Sequence, residues 1–294
     1  MIATALRQLV RVTATAAVIF GFGLAPAPAW AADASPWDAD ARAGMRLIAG
    51  NPSPTGSAPL RAGSASLRAG IELKLAPGWK TYWRYPGDSG VPPRFDFADS
   101  QNVKSVAIEW PAPHQFADES GTTIGYKNDV IFPLRIIPQD SAKPVLLRLR
   151  LEFAVCEKLC VPAEGSAELA LDGTSSALDG VLASAEALVP RRAALGDAAP
   201  LAVRALHREA GTDHGRVIVD VAAPGSEPIW LFAEGPTPDW ALPVPEPIEG
   251  AAGGLHRFAF ALDGLPPGAS PDGATLTFTL VSGENAIEVA AHLD

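Results

Sequence analysis

From Val145 to Leu169 the chain reads VLLRLRLEFAVCEKLCVPAEGSAEL, a stretch that leaves little freedom in how it folds. Leu147, Leu149, Leu151 and Phe153 alternate with Arg148, Arg150 and Glu152, the period-2 pattern of a half-buried strand. The only two cysteines follow, Cys156 and Cys160, separated by Glu157, Lys158 and Leu159. Beyond them Val161-Pro162 is again extended, and Ala167, Leu169 and Leu171 resume the alternation. Strand, three-residue loop and returning strand predict a hairpin closed by the cysteines. Facing residues of an antiparallel pair lie about 4.5–5.5 Å apart at Cα, within disulfide range. On one continuous strand, residues four apart are separated by about 13 Å and cannot bridge.

The first residues address the chain to an oxidising compartment. Arg7 and Arg11 precede an apolar run from Val12 to Leu24, and Ala29-Trp30-Ala31 offers a small-x-small cleavage site. Residues 1–31 are therefore expected to be a secretory signal peptide, the run being too short and too rich in alanine and glycine for a membrane span. Cleavage would leave 263 residues with 21 basic and 33 acidic side chains, a net charge of −12. That balance argues against nucleic acid or anionic lipid as a partner. No later segment is apolar for 18 residues, so no direct membrane span is expected.

Short alternating segments at Gly44–Ala49, Ser64–Leu75, Val103–Trp110 and Asn128–Ile137 continue the strand texture, with Pro133 suggesting an edge or a bulge. Residues 114–127 carry no clean period and read as a long loop. Ser175–Arg192 has Leu178, Val181, Leu182 and Leu188 at helical spacing, with Ser175 or Ser176 as N-cap, and residues 193–200 follow as linker. Strand candidates return at 201–206, 216–221, 229–233, 255–262, 275–282 and 286–293. The predicted fold is all-β: two immunoglobulin-like β-sandwiches, over 35–172 and over 201–294, joined by a short helical linker within 173–200.

In an oxidising compartment two cysteines ordinarily form one structural disulfide. So short a loop, however, removes little entropy from the unfolded chain, which weakens that reading. Three readings stay open from spacing alone: a redox pair, a Cu(I) site of two thiolates, and a permanent bridge in a binding module. The five histidines show no ligand spacing, Met45 is the only methionine beyond the leader, and no nucleotide or hydrolase motif is present, so no metal or cofactor is assigned. His114, Asp118 and Glu119 precede the hairpin, and an acid or imidazole nearby can tune a thiol.

Four segments in order, GWKTYWRYPGDSGVPP (78–93), IEWPAPHQF (108–116), GYKNDVIFPLRI (125–136) and CEKLCVP (156–162), resemble the N-terminal periplasmic domain of the thiol:disulfide interchange protein DsbD. They resemble especially its ScsB-like members, which are linked to copper tolerance. The resemblance covers about residues 40–172. It implies an immunoglobulin-like sandwich and an oxidoreductase of the protein-disulfide reductase type. Such a domain is reduced by a membrane or thioredoxin-like donor and in turn reduces an exported substrate protein. It also implies Cys160 as attacking thiol, Cys156 as its partner, and a cap loop over the pair. The matching stretch is 114–126, with Phe116 as first choice for the capping ring, Tyr126 as second, and Asp118 or Glu119 as tuning acids. Two features depart from the family pattern. The cysteines are spaced Cys-x3-Cys where better known members have a longer insert, and the sequence stops at Asp294 with neither a membrane nor a thioredoxin-like domain, so the expectation is a donor on another polypeptide or else a different use of the fold. If Phe116 caps the pair, Phe116→Ala speeds oxidation of the dithiol by small oxidants; an unchanged rate removes Phe116 from that role.

Overall fold

A computed structural model describes residues 32–51, 66–88, 90–118, 121–209, 215–251 and 253–293; the leader, the Asn51–Gly63 loop beyond Asn51, and Glu119 lie outside them. Eleven strands come first: β1 (Asp38–Ala39), β2 (Ala43–Ala49), β3 (Leu67–Leu75), β4 (Lys80–Gly87), β5 (Arg94–Asp96) and β6 (Val103–Ile108). They continue with β7 (His114–Asp118), β8 (Gly121–Lys127), β9 (Val130–Pro138), β10 (Val145–Cys156) and β11 (Cys160–Leu171). Helix α1 (Asp179–Ala187) follows, then β12 (Arg191–Ala193), β13 (Ala202–Glu209), β14 (Arg216–Ala222) and β15 (Ile229–Glu234). The last four are β16 (Glu246–Ile248), β17 (His256–Ala261), β18 (Thr275–Ser282) and β19 (Asn285–His292).

The first eleven strands make two facing sheets. One has the order β1-β2-β3-β9-β6; the other runs β11-β10-β4-β8-β7, with β5 also paired to β10. Their inward residues are those the alternation marks: Leu47, Ile71 and Leu73 against Leu147, Leu149, Leu151 and Val155, all buried. The later strands form two four-stranded sheets, β12-β19-β18-β15 and β13-β14-β17-β16, around Val217, Val219, Leu231, Phe278, Leu280 and Val289. The architecture is thus the all-β one expected, built of two sandwiches.

Three local expectations are corrected. Residues 114–127 are not a loop: β7 and β8 pair from His114↔Gly125 to Asp118↔Gly121, and their period is hidden because Gly121, Thr123 and Gly125 supply no apolar alternation. Pro133 sits in β9, an interior strand between β3 and β6, rather than at an edge. Its carbonyl accepts from Glu109 N at 2.8 Å, so its missing N–H faces the end of β6, where no ladder bond is lost. The helix has Leu178 at its N-cap, with no side-chain capping bond, while Ser176 Oγ instead accepts from Leu178 N. Nor is α1 merely a connector. Leu182 is fully buried against Gly70, where an added Cβ would lie 3.0 Å from it, and Glu186 accepts from Arg68 Nε at 2.8 Å and pairs with Arg135.

The two sandwiches share apolar packing. Phe232 and Val281 join the first core, with the Trp83 and Phe232 ring centroids 5.6 Å apart. Beside them the Arg84 guanidinium lies 4.5 Å over the Trp83 ring and donates to Glu234 at 2.8 and 2.7 Å and to Glu288 at 2.6 Å. Burial opposes its charge, but the bonds and charges of the two glutamates outweigh burial and hold its pKa above the usual arginine value. Arg84→Met leaves two mostly covered carboxylates unpaired, and is expected to cost about 2–4 kcal/mol in denaturant unfolding. Adding Glu234→Gln and Glu288→Gln to that variant should restore part of the loss; no restoration would show that the carboxylates are not what suffers.

Candidate functional site

The pairing of β10 with β11 runs without interruption through twelve residue pairs, from Val145↔Leu171 to Cys156↔Cys160. Glu157, Lys158 and Leu159 form the tip, and the cysteines are joined as a disulfide with Cα atoms 4.1 Å apart. Parity follows from register. Leu147 to Val155 at odd positions point inward, so Cys156 and Ala154 face outward. Cys156 pairs across with Lys80 and Lys80 with Lys127, which puts Lys80, Tyr82, Thr123, Lys127, His114 and Phe116 on the outer face too.

That outer face is covered around the cysteines. Tyr82, at 1% exposure, clusters with Ala154 and Cys156. The turn after β4 folds back over it: an added Cβ at Gly90 would lie 2.6 Å from Tyr82 Cδ1, so only glycine lets the backbone rest there. Asp88 pins this turn to β8, its N–H donating to Thr122 O and its Oδ2 accepting from Thr122 N, each at 2.9 Å. Gly87, with φ +84°, takes the left-handed conformation the turn needs.

The two sulfurs differ. Cys156 is 6% exposed, whereas Cys160 stands in the open, with Tyr82 Oη 2.9 Å from its Sγ. A disulfide sulfur has no proton, so the tyrosine hydroxyl is the donor. Lys80 is buried nearby and donates from Nζ to Thr123 Oγ1 at 3.0 Å. An incoming thiolate can therefore reach Sγ of Cys160, while Cys156 is shielded.

The other expected residues are placed unequally. Phe116 shares the outer face but stands on β7, three strands from β10, with Lys127 Nζ 4.4 Å from its ring centroid. Tyr126 is corrected: it lies on the core face, 4% exposed, donates to Pro111 O at 2.9 Å and packs edge-on to Phe132, so it cannot cap the pair. Burial raises its pKa well above the ordinary value. Asp118 ends β7, and Glu119 lies outside the described residues. His114 is held edge-on to Trp230, centroids 5.3 Å apart, and burial lowers its pKa. Sequence reading missed Tyr82 and Gly90; the signal was Thr81 and Trp83 alternating with Lys80 and Tyr82 directly before a Pro-Gly turn. Among the described residues no group of three or more His, Cys, Asp and Glu is placed to hold a metal, and no helix is long and apolar enough to cross a membrane.

Fold and hairpin define a two-sandwich β protein with a half-exposed disulfide at a sheet end. Residues 54–172, which hold β3 to β11 and both cysteines, match the family described as thiol:disulfide interchange protein DsbD, N-terminal. The solved N-terminal periplasmic domain of ScsB from Proteus mirabilis is similar with a TM-score of 0.64 and 21% identity, over 89% of this chain and 98% of that one. At that identity the likeness is one of fold, and its extent takes in both sandwiches. No curated protein matches the chain in sequence.

The Tyr82 hydroxyl can be removed without disturbing the ring beneath Gly90. A hydrogen bond of this kind contributes about 1 kcal/mol, or about fivefold in rate. In the reduced protein, Tyr82→Phe should move the pH midpoint of Cys160 alkylation upward, because a donor to the thiolate is lost; an unchanged pH profile would mean the hydroxyl does not act on the sulfur.

Proposed function

We propose that this protein exchanges thiols and disulfides in the periplasm, passing reducing equivalents from a membrane or thioredoxin-like donor to exported substrate proteins. The observation that carries the reading is the asymmetry of the pair, one sulfur open and hydrogen-bonded, the other buried behind it. The family match over the same residues supports it.

Reduction begins when a donor thiolate attacks Cys160 Sγ along the sulfur–sulfur axis. A mixed disulfide forms, the Cys156–Cys160 bond breaks, and Cys156 leaves as thiolate. The donor's second thiolate then attacks its own sulfur in the mixed disulfide and releases Cys160. Two electrons have entered, the donor is a disulfide, and two protons from water complete the dithiol. Towards substrate the steps reverse: Cys160 thiolate attacks, and Cys156 resolves the mixed disulfide. Tyr82 and the turn ending at Gly90 limit approach from above, with Phe116 as an outer lip of the same face. Asp118, the last residue of β7, and Glu119 are retained as tuning acids.

Equilibration in glutathione or dithiothreitol buffers should give a reduction potential between about −180 and −270 mV, where exchange proteins operate. A value well below about −300 mV would mark a permanent bond and favour a binding module instead. Under native conditions Cys156→Ser should accumulate a mixed disulfide through Cys160, and Cys160→Ser should not. Equal trapping by both would contradict the assigned roles.

A further inference from the structure

Lys80 is a charged residue only 7% exposed, and Tyr82, next to it on the same face of β4, is buried as well. The β4–β8 ladder is interrupted beside them. It steps from Tyr82↔Gly125 to Gly87↔Thr123, so residues 83–86 of β4, which carry Trp83 and Arg84 to the second sandwich, oppose Ile124 alone. A side chain crosses that interruption. Lys80 is registered with Lys127, yet its Nζ donates to Thr123 Oγ1 at 3.0 Å, four residues back along β8. Thr123 Oγ1 in turn donates to Phe116 O at 3.3 Å, which extends the chain of bonds to β7. On the outer face the positions between Lys80 and Thr123 are Tyr82 on β4 and Gly125 on β8. Gly125 can be no other residue, since an added Cβ would lie 2.0 Å from Thr81 O and 2.9 Å from Tyr82 Cα. Its missing side chain leaves room on the β8 flank of Tyr82, and the Lys80 stem runs through that room to reach Thr123.

We propose that Lys80 is a positioning residue of the disulfide site: fastened to Thr123, its side chain fills the space over Gly125 and holds the Tyr82 ring against Cys156 with the hydroxyl on Cys160. The proposal rests on the exchange reading above and names the residue that keeps that site's hydrogen-bond donor in place. On its other flank the ring packs with Ala154 and Cys156, and its hydroxyl lies 2.9 Å from Cys160 Sγ. With the β8 flank empty the ring could fall towards Gly125 and withdraw the hydroxyl from the sulfur. Filling the space needs no charge: a methionine or leucine would do so without the cost of burying an ammonium group. What a lysine adds is a donor at the end of a long stem, and that donor is spent on fixing where the stem lies. The ladder interruption that lets Trp83 and Arg84 reach the second sandwich is thus bridged, next to the cysteines, by a side chain in place of backbone bonds.

The test reads the pH midpoint of Cys160 alkylation by iodoacetamide in the full chain carrying Cys156→Ser, so that one thiol reports. The titratable groups around that thiol are Tyr82 and Lys80 from β4, Glu157 and Lys158 from the tip, and Lys127 beyond them on β8; of these the variants alter Lys80 and Tyr82 alone. Lys80→Ala is expected to move the midpoint upward by about 0.7 pH unit, the worth of one hydrogen bond to the thiolate, as Tyr82→Phe does. Thr123→Val, which keeps the lysine and its charge but cuts the fastening, should move it the same way by less. Added to Tyr82→Phe, Lys80→Ala should change nothing further, because the group it positions is already gone. A shift that persists undiminished in the Tyr82→Phe background and shrinks with added salt would make Lys80 act by its charge, and overturns the proposal. An unmoved midpoint in Lys80→Ala overturns it too; if that variant loses its cooperative unfolding transition, an unmoved midpoint in Thr123→Val does so instead. The exchange reading is tested apart from this, by the reduction potential of the wild type, so failure of one is not mistaken for failure of the other.

Discussion

Everything at this site depends on the register between β10 and β11. Twelve consecutive pairs leave no bulge in which a slip could be absorbed. A shift by one residue would turn Leu147, Leu149, Leu151 and Val155 out of the core and bring Arg148, Arg150 and Glu152 in, so burial of the leucines fixes the pairing. Once that is fixed, Cys156 must oppose Cys160 across a three-residue tip, and both must point away from the core. The disulfide is therefore a consequence of hydrophobic alternation some distance away along the strands. The bond itself constrains only a short loop and adds modestly to stability. A bond that the fold does not need can be opened and closed without unfolding the domain, which is what an exchange protein requires.

The same strand order ties the site to the second sandwich. β4 lies between β10 and β8, and its residues divide by parity. Lys80 and Tyr82 face the cysteines, Trp83 enters the core and meets Phe232, and Arg84 reaches Glu234 and Glu288. One strand thus places the hydrogen bond on Cys160 and anchors the second half of the chain. His114 on Trp230 repeats the arrangement at β7, the far edge of the same sheet. Since the later sandwich presses on the strands that carry the site, it is part of the site's frame and more than a spacer. Protonation acts at this joint in one direction. His114, with its pKa lowered by burial, resists the proton that the unfolded chain accepts, so its contribution to stability is present above the unfolded value and falls away as pH drops below it.

What could be read from residues alone was the part that periodicity controls. The hairpin, the cysteine pair at its tip, the all-β class and most strands of the later sandwich follow from alternation and turn chemistry. The β7–β8 hairpin did not, because a strand paired through Gly121, Thr123 and Gly125 shows no apolar period, and its pairing with β4 is a tertiary fact. Pro133 misled for a related reason: whether its missing donor matters depends on where β6 ends, which local sequence does not state. The resemblance offers Tyr126 as second choice for a capping ring, but the stretch is a strand whose parity sends that side chain inward. Tyr82 was visible as an aromatic residue, but its role depends on being two residues from the Cys156 pairing on a neighbouring strand, and on Gly90 folding over it.

The difference between the two sulfurs decides which chemistry is available. Had both been exposed, either could take a partner, and scrambling with any passing thiol would compete with ordered transfer. Had both been buried, exchange would need local opening of β10 from β4. Cys156 is buried with Tyr82 and Ala154 while Cys160 is exposed, so on the exchange reading attack is directed to Cys160 and the leaving thiolate emerges on the shielded side. It can then only return to Cys160, either closing the ring again or expelling whatever that sulfur carries. On the exchange proposal, a buried resolving thiol and an open attacking thiol are two halves of one device, built by the parity of β10 and a single glycine over Tyr82.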